Sequence, residues 1–592
     1  MRERCKTEYF IRKDIPVKDE LLSDIGNNVP EEILKILANR KVNNIKDFLD
    51  PENIAFLSPF SIYGMDRIVD EINKGIKEKK RFRLITDYDV DGITSTVIGM
   101  KIFDYLKARV TYDIPDRRID GYGINKRLID EAYSDNVDII ITFDNGIAAY
   151  EAIAYAKSLG MTVLVTDHHN VPVNEIDGTC KEILPPADVI VDVKQEKDTT
   201  EFKEICGAMI AFKLAQALIP NLQELPLYNE LLEMACIGTI CDVMPLINEN
   251  RKIVKIGLNI ITNSENKGIQ VLKELYGLNG KAVTSYHIGF IIGPTLNAAG
   301  RLKTAKTCVD FLLSDDSEYL KLTGEYLKEL NDERKQLTED GLKKAIGYAD
   351  AHLDNRILVI ALEGIDESIC GIIAGRIKEM YNRPVVVLSI EKDKEIAKGS
   401  GRSIKEYNMF EELSKVKELF SAFGGHSMAA GLSIPVYNIE KLKNILNNKC
   451  NLTEKDMINK ILIDIQLPLH LADENFVNGL QLLEPYGEGN KKPIIADRNV
   501  KILSANVIGK NKNVVSLKLK SEAGFPMDGI FFGGIESFIQ QIDKKYETGT
   551  AERLIENRRN EDIELQMSLI YNPNINEWNG KKNIQAVINY MI

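Results

Sequence analysis

The stretch Phe82-Arg83-Leu84-Ile85-Thr86-Asp87-Tyr88-Asp89-Val90-Asp91-Gly92 joins a short apolar run to three aspartates at alternate positions. The run Phe82–Thr86 has the length and character of a buried strand. An apolar-periodic helix is predicted to follow, from about Thr94 to Lys107. A group of carboxylates therefore lies between a predicted strand and a predicted helix, and the rest of the domain is interpreted from this unit.

The same arrangement recurs twice along the chain. A second apolar run, Val137–Phe143, leads into Asp144-Asn145-Gly146 and a helical pattern over Ala148–Leu159. A third, Met161–Thr166, ends in Asp167-His168-His169. Alternating strands and helices predict an α/β domain with a doubly wound parallel sheet. Ligands gather at the carboxyl ends of the strands in such sheets, where these carboxylates stand.

Beyond this domain the pattern changes several times. A Glu- and Lys-rich helical stretch runs from about Val309 to His352, and a second, smaller α/β pattern follows it. After about residue 455 the chain is strand-rich, which predicts a small β-barrel. We expect five segments: an N-terminal helical segment 1–65, a catalytic α/β domain 66–308, a connecting helix 309–354, a second α/β domain 355–454 and a barrel 455–592.

Composition narrows the class of protein. Of 592 residues, 44% are hydrophobic and 28% charged, which is typical of a globular protein, and no apolar run approaches the ~20 residues that span a bilayer. Eight scattered cysteines without a C-x-x-C pair argue against a zinc ribbon or a secreted disulfide framework. With no secretory signal visible in Met1–Cys5, we expect a cytoplasmic protein without a membrane partner. The net charge of −12 argues against a histone-like protein that binds nucleic acid by bulk charge, but not against binding by a local basic groove or bound metal ions.

The aspartates at 87, 89 and 91 do not form a calcium loop of the EF-hand type. Such a loop needs Glu at position 12 and a helix before it, whereas position 12 here is Ile98 and a strand precedes. Taken alone, the segment also fits a solvated acidic turn that caps a helix.

The ends of the other two predicted strands, and of an apolar helix in Cys236–Val243, favour a metal centre. Asp144, His168 and Asp242 add ligands, and carboxylates crowded into one crevice repel each other unless a cation neutralises them. This mixed oxygen and nitrogen set suits Mn²⁺ or Mg²⁺, and two ions about 3.5–4 Å apart clamp a phosphoryl group and generate hydroxide at neutral pH. Since His168 and His169 are neighbours, one serves the metal and the other faces a phosphate.

In this order the motifs resemble those of the DHH phosphoesterase superfamily, which is named for the triplet Asp167-His168-His169. Within it, the chain is most similar to the RecJ family of single-strand-specific 5′→3′ exonucleases. The segments that carry the resemblance are Asp87–Gly92, Thr142–Gly146, Thr166–His169, Cys241–Leu246, Ile114–Arg117 with Gly121–Gly123, Cys206–Ala208 with Phe212–Leu214, Gly293-Pro294 with Asn297–Arg301, Gly399–Ser403, Gly424–Gly431 and Leu483–Asn490.

The resemblance implies a site with two divalent ions, Mn²⁺ or Mg²⁺, with Asp144 or Asp242 bridging them. The implied metal ligands are Asp87, Asp89, Asp91, Asp144, His168 and Asp242. The implied catalytic residues are His169, Asp91, Asn297 and Arg301. The implied substrate-binding residues, which face the 5′-terminal or scissile phosphates, are Arg117, Arg376, Arg402, Ser403, Gly425 and His426.

The chain departs from the family pattern at two places. Thr295 stands where family members usually carry Arg, and Ile365-Asp366-Glu367-Ser368 stands where they usually carry Trp-His-Glu-Gly. These departures leave the rate, the preferred end and the polarity open.

The C-terminal segment resembles the OB-like nucleic-acid-binding barrel of the family. Its basic and aromatic residues fit either contacts to a strand or ordinary solubilising and core positions; they are Lys510, Lys512, Lys518, Lys520, Tyr571 and Trp578.

The resulting hypothesis is an exonuclease that degrades single-stranded DNA from a 5′ end by two-metal hydrolysis and releases mononucleotides in recombination and repair. A helicase and a single-strand-binding protein are its implied partners. Two alternatives stay open: a DHH-type phosphodiesterase of short oligonucleotides or cyclic dinucleotides, and a non-catalytic RecJ-like replication scaffold.

Overall fold

The computed structural model describes residues 4–17, 29–117, 119–176, 179–391, 395–509, 513–557, 565–578 and 581–592. The chain divides into two compact units. The first comprises Met1–Lys6, Ile54–Asn459 and Gly487–Gly489; the second comprises Thr7–Asn53, Lys460–Tyr486 and Asn490–Ile592.

Strands and helices are numbered here in chain order. The strands are β1 Thr7–Ile11, β2 Arg81–Thr86, β3 Arg109–Asp113, β4 Ile139–Phe143, β5 Thr162–Asp167, β6 Val173–Ile176, β7 Thr179–Glu182, β8 Val189–Asp192, β9 Leu358–Glu363, β10 Val385–Ile390, β11 Ile396–Arg402, β12 Ala422–His426, β13 Ala429–Pro435, β14 Asn459–Ile463, β15 Ile465–Gln466, β16 Ile495–Ile508, β17 Val514–Lys520, β18 Pro526–Phe531, β19 Gln566–Trp578 and β20 Lys581–Met591. The helices of five or more residues are α1 Glu31–Asn39, α2 Ile45–Leu49, α3 Met65–Lys77, α4 Val90–Tyr105, α5 Lys126–Ser134, α6 Tyr150–Ser158, α7 Gly207–Leu218, α8 Leu227–Cys241, α9 Asn248–Thr262, α10 Lys267–Leu275, α11 Gly293–Leu302, α12 Lys306–Leu313, α13 Ser317–Ala351, α14 Cys370–Tyr381, α15 Met409–Ser414, α16 Ile439–Asn448, α17 Glu474–Leu480, α18 Ile535–Asp543 and α19 Thr550–Asn557.

A wholly parallel five-stranded sheet forms the centre of the first unit, in the order β3-β2-β4-β5-β8. Helices α3, α4 and α7 pack on one face, and α5 and α6 pack on the other. This confirms the predicted doubly wound α/β domain. The sequence pattern did not identify β3 or β8, because β3 is an edge strand with a half-polar pattern and β8 has only four residues.

The predicted connecting helix is two helices. Helix α12 ends at Leu313, and α13 begins at Ser317 because the Asp316 carboxylate accepts hydrogen bonds from the backbone N–H groups of Glu318 (2.9 Å) and Tyr319 (3.1 Å). Neither α13 nor any other helix in the described part of the chain is long and apolar enough to cross a membrane.

The second α/β domain contains a five-stranded mixed sheet in the order β12-β13-β11-β10-β9, in which only β9 and β10 are parallel. Helices α13 and α14 cover one face of this sheet through Ala345, Ala349, Ile373 and Ile377. Helices α15 and α16 cover the other. The domain is thus α/β, as the pattern predicts.

The second unit contains a closed barrel. Strands β16, β17, β18, β20 and β19 pair in this order, and β19 pairs back with β16 to complete the ring. The buried face of α1 belongs to the same core, and β1 pairs with β14. Residues 7–53 therefore fold with the barrel, while the segment limits 1–65, 66–308, 309–354, 355–454 and 455–592 remain a proposal.

The barrel residues singled out in the sequence have different positions. Tyr571 is fully buried in the core and its hydroxyl donates to the backbone carbonyl of Leu467 at 2.8 Å. Lys518 is ion-paired with Asp528 at 2.5 Å. Lys510 and Lys512, like the side chain of Trp578, lie outside the described residues.

Candidate metal centre and phosphate-binding surface

The carboxyl edge of the parallel sheet gathers the acidic side chains. Asp87 follows β2, Asp144 follows β4, and Asp167 is the last residue of β5. Asp144 has a φ of 61°, a left-handed conformation that Asp tolerates better than most residues. Parallel pairing of these strands brings their ends to one edge, as the sequence predicted.

Asp91 is held by the start of α7. Its two carboxylate oxygens accept hydrogen bonds from the N–H groups of Gly207 at 2.6 Å and Ala208 at 2.8 Å. Two backbone donors at a helix N-terminus stabilise a buried carboxylate. Glycine is required at 207, because a Cβ there would lie 2.6 Å from the Cβ of Asp144.

His168 links the strand ends to α8. Its Nε2 lies 3.0 Å from Asp144 Oδ1 and 3.7 Å from Oδ2 of both Asp91 and Asp242, which follows α8. Burial and the nearby His169 lower the pKa of His168. This favours the neutral imidazole, which is the form that binds metal ions.

The carboxylates are too crowded to be ionised together without a cation. Burial, followed by the charge of neighbouring aspartates, raises the pKa values of Asp87, Asp144 and Asp242 well above the ordinary range. Asp87 Oδ1 and Asp242 Oδ2 are buried without a hydrogen-bond partner among the described residues. Unpartnered buried oxygens of this kind fit metal ligands.

Three groups of potential ligand atoms have members within 4.8 Å of one another. Asp87, Asp89 and Asp144 form the first, Asp91, His168 and Asp242 the second, and Asp144, Asp167, His168 and His169 the third. The structure thus brings together all six residues that the sequence assigned to metal. Five carboxylates and one imidazole form a hard donor set that fits Mn²⁺ or Mg²⁺. Asp144 belongs to the first group and also contacts His168 of the second.

Asp167 and Tyr122 are site residues that the sequence analysis did not assign. The Asp167 carboxylate accepts from the N–H groups of Ile147 (2.9 Å) and His168 (2.8 Å) and pairs with His169 Nδ1 (2.7 Å). The Tyr122 hydroxyl donates to the Asp144 carbonyl at 3.0 Å and lies 3.3 Å from His169 Nε2. The strand-end rule could have found Asp167, whereas Tyr122 lies in a loop without such a signal.

Asp167 controls the charge of His169. Burial disfavours the imidazolium, but the hydrogen bond and charge of Asp167 prevail and raise the pKa of His169 to about 9. In the metal-free protein this pKa favours the imidazolium form of His169 at neutral pH. Its Nδ1 is bound to Asp167, and its half-exposed ring leaves Nε2 accessible to an anionic ligand.

Four arginines predicted to bind substrate or act in catalysis contact no carboxylate within 4 Å among the described residues. Arg117 stacks over the Tyr88 ring at 5.3 Å, Arg301 donates to the Ser368 carbonyl at 2.9 Å, and Arg376 is exposed on α14. Arg402 donates to Ser400 Oγ (2.7 Å) and the Gly401 carbonyl (2.8 Å). Burial and the charges of Arg117 and Arg334 lower the pKa of Arg301 to about 10.

The remaining predicted residues have mixed roles. Ser403 is buried and its hydroxyl donates to the Tyr407 carbonyl at 2.6 Å, which is a structural contact. Asn297 is half-buried on α11, one turn before Arg301. Gly425 has a φ of 152°, and a Cβ there would lie 2.3 Å from the Ala429 carbonyl oxygen.

Gly425 and the exposed His426 line a groove of about 1320 Å³ that also contains Tyr122, Asp167 and His169. The groove therefore runs from Asp167 and His169, next to the acidic cluster, to the second α/β domain, within one compact unit.

Thr295 and Asp366, which depart from the family pattern, each form hydrogen bonds with nearby residues. Thr295 is fully buried; its hydroxyl donates to the Ile291 carbonyl at 2.7 Å and lies 2.8 Å from the Tyr276 hydroxyl. The Asp366 carboxylate accepts from Ser368 N–H at 2.8 Å, capping the turn before α14.

Comparison with known proteins gives three family-model matches. They are the DHH family, N-terminal domain, over residues 81–239; the DHHA1 domain over 354–452; and the RecJ OB domain over 463–590.

The chain is similar to the single-stranded-DNA-specific exonuclease RecJ of Haemophilus influenzae, at 30% identity over 98% of each chain. It is also similar to that of Bacillus subtilis, at 34% identity over 91% of this chain and 65% of the relative, so it spans just under two thirds of that protein. A crystal structure of RecJ from Thermus thermophilus in complex with Mn²⁺ matches with a TM-score of 0.79 at 24% identity, covering 100% of this chain and 80% of the other.

Proposed function

The chain belongs to the RecJ family of single-stranded-DNA-specific exonucleases, and from this premise we propose that it hydrolyses the phosphodiester bonds of single-stranded DNA from a 5′ end and releases mononucleotides in recombination and repair. The observation that carries the proposal is the convergence of five carboxylates and one imidazole at one sheet edge. Guanidinium groups with no carboxylate within 4 Å in the described part of the chain can also bind phosphates; they belong to Arg117, Arg301, Arg376 and Arg402.

The proposed cofactors are two divalent ions, Mn²⁺ or Mg²⁺. One would be held by Asp87, Asp89 and Asp144, and the other by Asp91, His168 and Asp242, with Asp144 shared. The buried, unpartnered oxygens of Asp87 and Asp242 support this assignment. When bound, such ions supply charge stabilisation for the phosphoryl group and an activated water at neutral pH.

The chain's own residues orient and protonate the substrate. With Nδ1 fixed by Asp167, the His169 imidazolium offers Nε2–H to a phosphate oxygen, where it binds the group or gives a proton to the leaving oxygen. Arg301 and Arg402 have guanidinium N–H groups left for phosphate oxygens. Asp91 is held in place by hydrogen bonds from the two N–H groups at the start of α7.

The proposal extends to partners and location. An enzyme confined to single strands depends on unwound DNA, which a helicase produces and a single-strand-binding protein protects. The seven cysteines in the described part of the chain form no disulfide with one another, and a cytoplasmic location agrees with this.

The test is digestion of a single-stranded oligonucleotide labelled near either end, with Mn²⁺, beside an Asp89→Asn variant. We expect early loss of 5′ nucleotides by the wild type, none by the variant, and none on blunt duplex. Hydrolysis restricted to dinucleotides or cyclic dinucleotides would instead support a small phosphodiesterase. A chain that takes up no divalent ion would support a replication scaffold.

A further inference from the structure

Arg334 lies on α13 and is held by a buried polar frame. Its Nε and Nη2 both donate to Asn331 Oδ1, at 3.2 and 3.0 Å. Asn331 is 1% exposed, and its Nδ2 donates to Thr295 Oγ1 at 3.1 Å and to the Tyr276 hydroxyl at 3.3 Å. Because all these partners are neutral, the frame fixes the direction of the guanidinium without cancelling its charge.

The charges of other arginines act on Arg334. Burial and the charge of Arg376 lower the pKa of Arg334, and the charge of Arg334 in turn lowers that of Arg301. Arg334 has no carboxylate within 4 Å among the described residues. Like charges held together by neutral groups are unfavourable unless an anion joins them.

The three arginines lie on helices that pack against one another. On α11, a Cβ at Gly300 would lie 2.3 Å from the carbonyl oxygen of Tyr88, so Arg301 stands beside the segment that carries Asp89. The Asn331–Thr295 hydrogen bond joins α13, the helix of Arg334, to α11. Helices α13 and α14 pack against each other through Gly341 and Ile373, so Arg334 and Arg376 lie on neighbouring helices. A ligand that contacts all three arginines therefore needs several negative charges spaced along its length.

We propose that Arg334 is a substrate-binding residue that, together with Arg376, binds a phosphodiester group of the strand beyond the scissile bond. The proposal rests on the proposed function and deepens it by naming a second phosphate subsite. Asn331, Thr295 and Tyr276 are the positioning residues of this subsite. Planar guanidinium groups bind phosphate oxygens through paired N–H donors.

The test compares Arg334→Ala with Lys335→Ala, which removes the same charge from the next residue of α13, where the lysine is exposed and paired with Asp332. Two substrates are used with Mn²⁺: a single-stranded oligonucleotide and the p-nitrophenyl ester of thymidine 5′-phosphate, which has one phosphodiester. We expect Arg334→Ala to lower kcat/KM on the oligonucleotide about tenfold more than on the ester. Lys335→Ala should change neither.

Binding is measured separately in an Asp89→Asn background by fluorescence anisotropy of a labelled oligonucleotide at several salt concentrations. We expect Arg334→Ala to reduce the salt slope of the affinity by about 0.7, the contribution of one phosphate contact in a single strand. Since this readout needs no turnover, it tests Arg334 even if the wild type hydrolyses nothing, an outcome that would contradict only the proposed function.

A second variant tests the proposal without removing Arg334, so that the test does not depend on the folding of Arg334→Ala. Asn331→Asp keeps the size of the side chain and keeps Arg334, but gives the guanidinium a carboxylate partner; we expect it to weaken oligonucleotide binding as Arg334→Ala does. Equal losses on oligonucleotide and ester, an unchanged salt slope, or the same behaviour in Lys335→Ala would overturn the proposal.

Discussion

At the scale of single residues, Asp89 has two separable roles. Its carboxylate accepts from the N–H groups of Asp91 (2.9 Å) and Gly92 (3.2 Å), capping α4, and it belongs to the first group of candidate metal ligands. Asn caps a helix as well as Asp does but is a weaker ligand for a hard cation. The exchange of one for the other therefore separates folding from metal binding.

We predict that Asp89→Asn folds normally but loses hydrolysis by about 100-fold or more, and no longer gains thermal stability from Mn²⁺. The measurements are digestion of single-stranded DNA and thermal unfolding with and without the ion. Asp104→Asn, at the exposed far end of the same helix, is the matched control and should behave as wild type. A Mn²⁺ response retained by Asp89→Asn would contradict its role as a ligand.

A second prediction concerns pH. The folded-state pKa values of Asp87, Asp144 and Asp242 lie above their unfolded values, so the metal-free folded state retains protons that the unfolded chain loses. Stability of the metal-free protein should therefore fall as pH rises from about 4 through these values. The His169 contribution acts in the same direction, being present below about pH 6.5 and lost through about pH 9.

The measurement is the Tm of chelator-treated protein between pH 5 and 9, with and without Mn²⁺. Ionised carboxylates bind the cation, so the difference between the two curves should widen with pH and reach on the order of 5 °C at saturating ion. Curves that stay parallel would show that these carboxylates do not hold the metal.

At the scale of secondary-structure elements, the approach of α7 to the end of β4 leaves no room for a side chain at Gly207. A Cβ there would lie 2.6 Å from Asp144 Cβ and 3.0 Å from Asp91 Oδ2. We predict that Gly207→Ala displaces these ligands and lowers hydrolysis on the order of 100-fold, because ligand shifts of about 1 Å are costly.

The matched control for Gly207→Ala is Gly347→Ala. Gly347 lies at an exposed position of α13, where nothing is within 4 Å of the new Cβ. It should leave hydrolysis unchanged and raise stability by about 0.5–1 kcal/mol, since Ala is the better helix former. Both variants are compared by Mn²⁺ titration and thermal unfolding. If Gly207→Ala binds Mn²⁺ with wild-type affinity, α7 can shift away from β4 without moving Asp91 and Asp144.

Elements with strong local signals were predictable from the sequence. Buried strands β2, β4 and β5 lead into carboxylates, so the convergence of Asp87, Asp144 and His168 follows from the rules of parallel sheets. Strand β3 was missed because an edge strand is half-polar. The break between α12 and α13 was missed because a single capping residue, Asp316, stops a continuing apolar pattern. Non-local contacts such as that of Tyr122 with Asp144 have no sequence period at all.

At the scale of the whole molecule, the two compact units do not follow chain order. Residues 7–53 fold with the barrel, and the buried side chains Ile33, Leu34, Ile36 and Leu37 of α1 belong to its core. A deletion of the barrel alone, the truncation that the sequence pattern suggests, would leave this apolar face without its partners. Exposed clusters of this kind promote aggregation.

The main segment of the first unit begins at Ile54 and is held there by contacts within the unit. The ring of Phe56 contacts the ammonium groups of Lys213 (5.4 Å from the ring centre) and Lys252 (4.4 Å). Leu57 N–H donates to Glu249 at 2.7 Å, and the Leu57 carbonyl accepts from Lys213 Nζ at 2.6 Å. Residues 54–57 are therefore fixed by contacts within their own unit.

These contacts lead to a prediction about two truncated chains. The chain 54–459 should be monomeric and keep the Mn²⁺ response and hydrolysis of the p-nitrophenyl ester, whereas 1–459 should aggregate through α1; size-exclusion chromatography separates the two outcomes. If the barrel binds the strand, 54–459 should also show a KM for a long oligonucleotide raised at least about tenfold, the loss expected for one or two base contacts. An unchanged KM for the long oligonucleotide would assign strand binding to the first unit alone. If 1–459 is as monomeric as 54–459 in size-exclusion chromatography, α1 does not depend on the barrel for its burial.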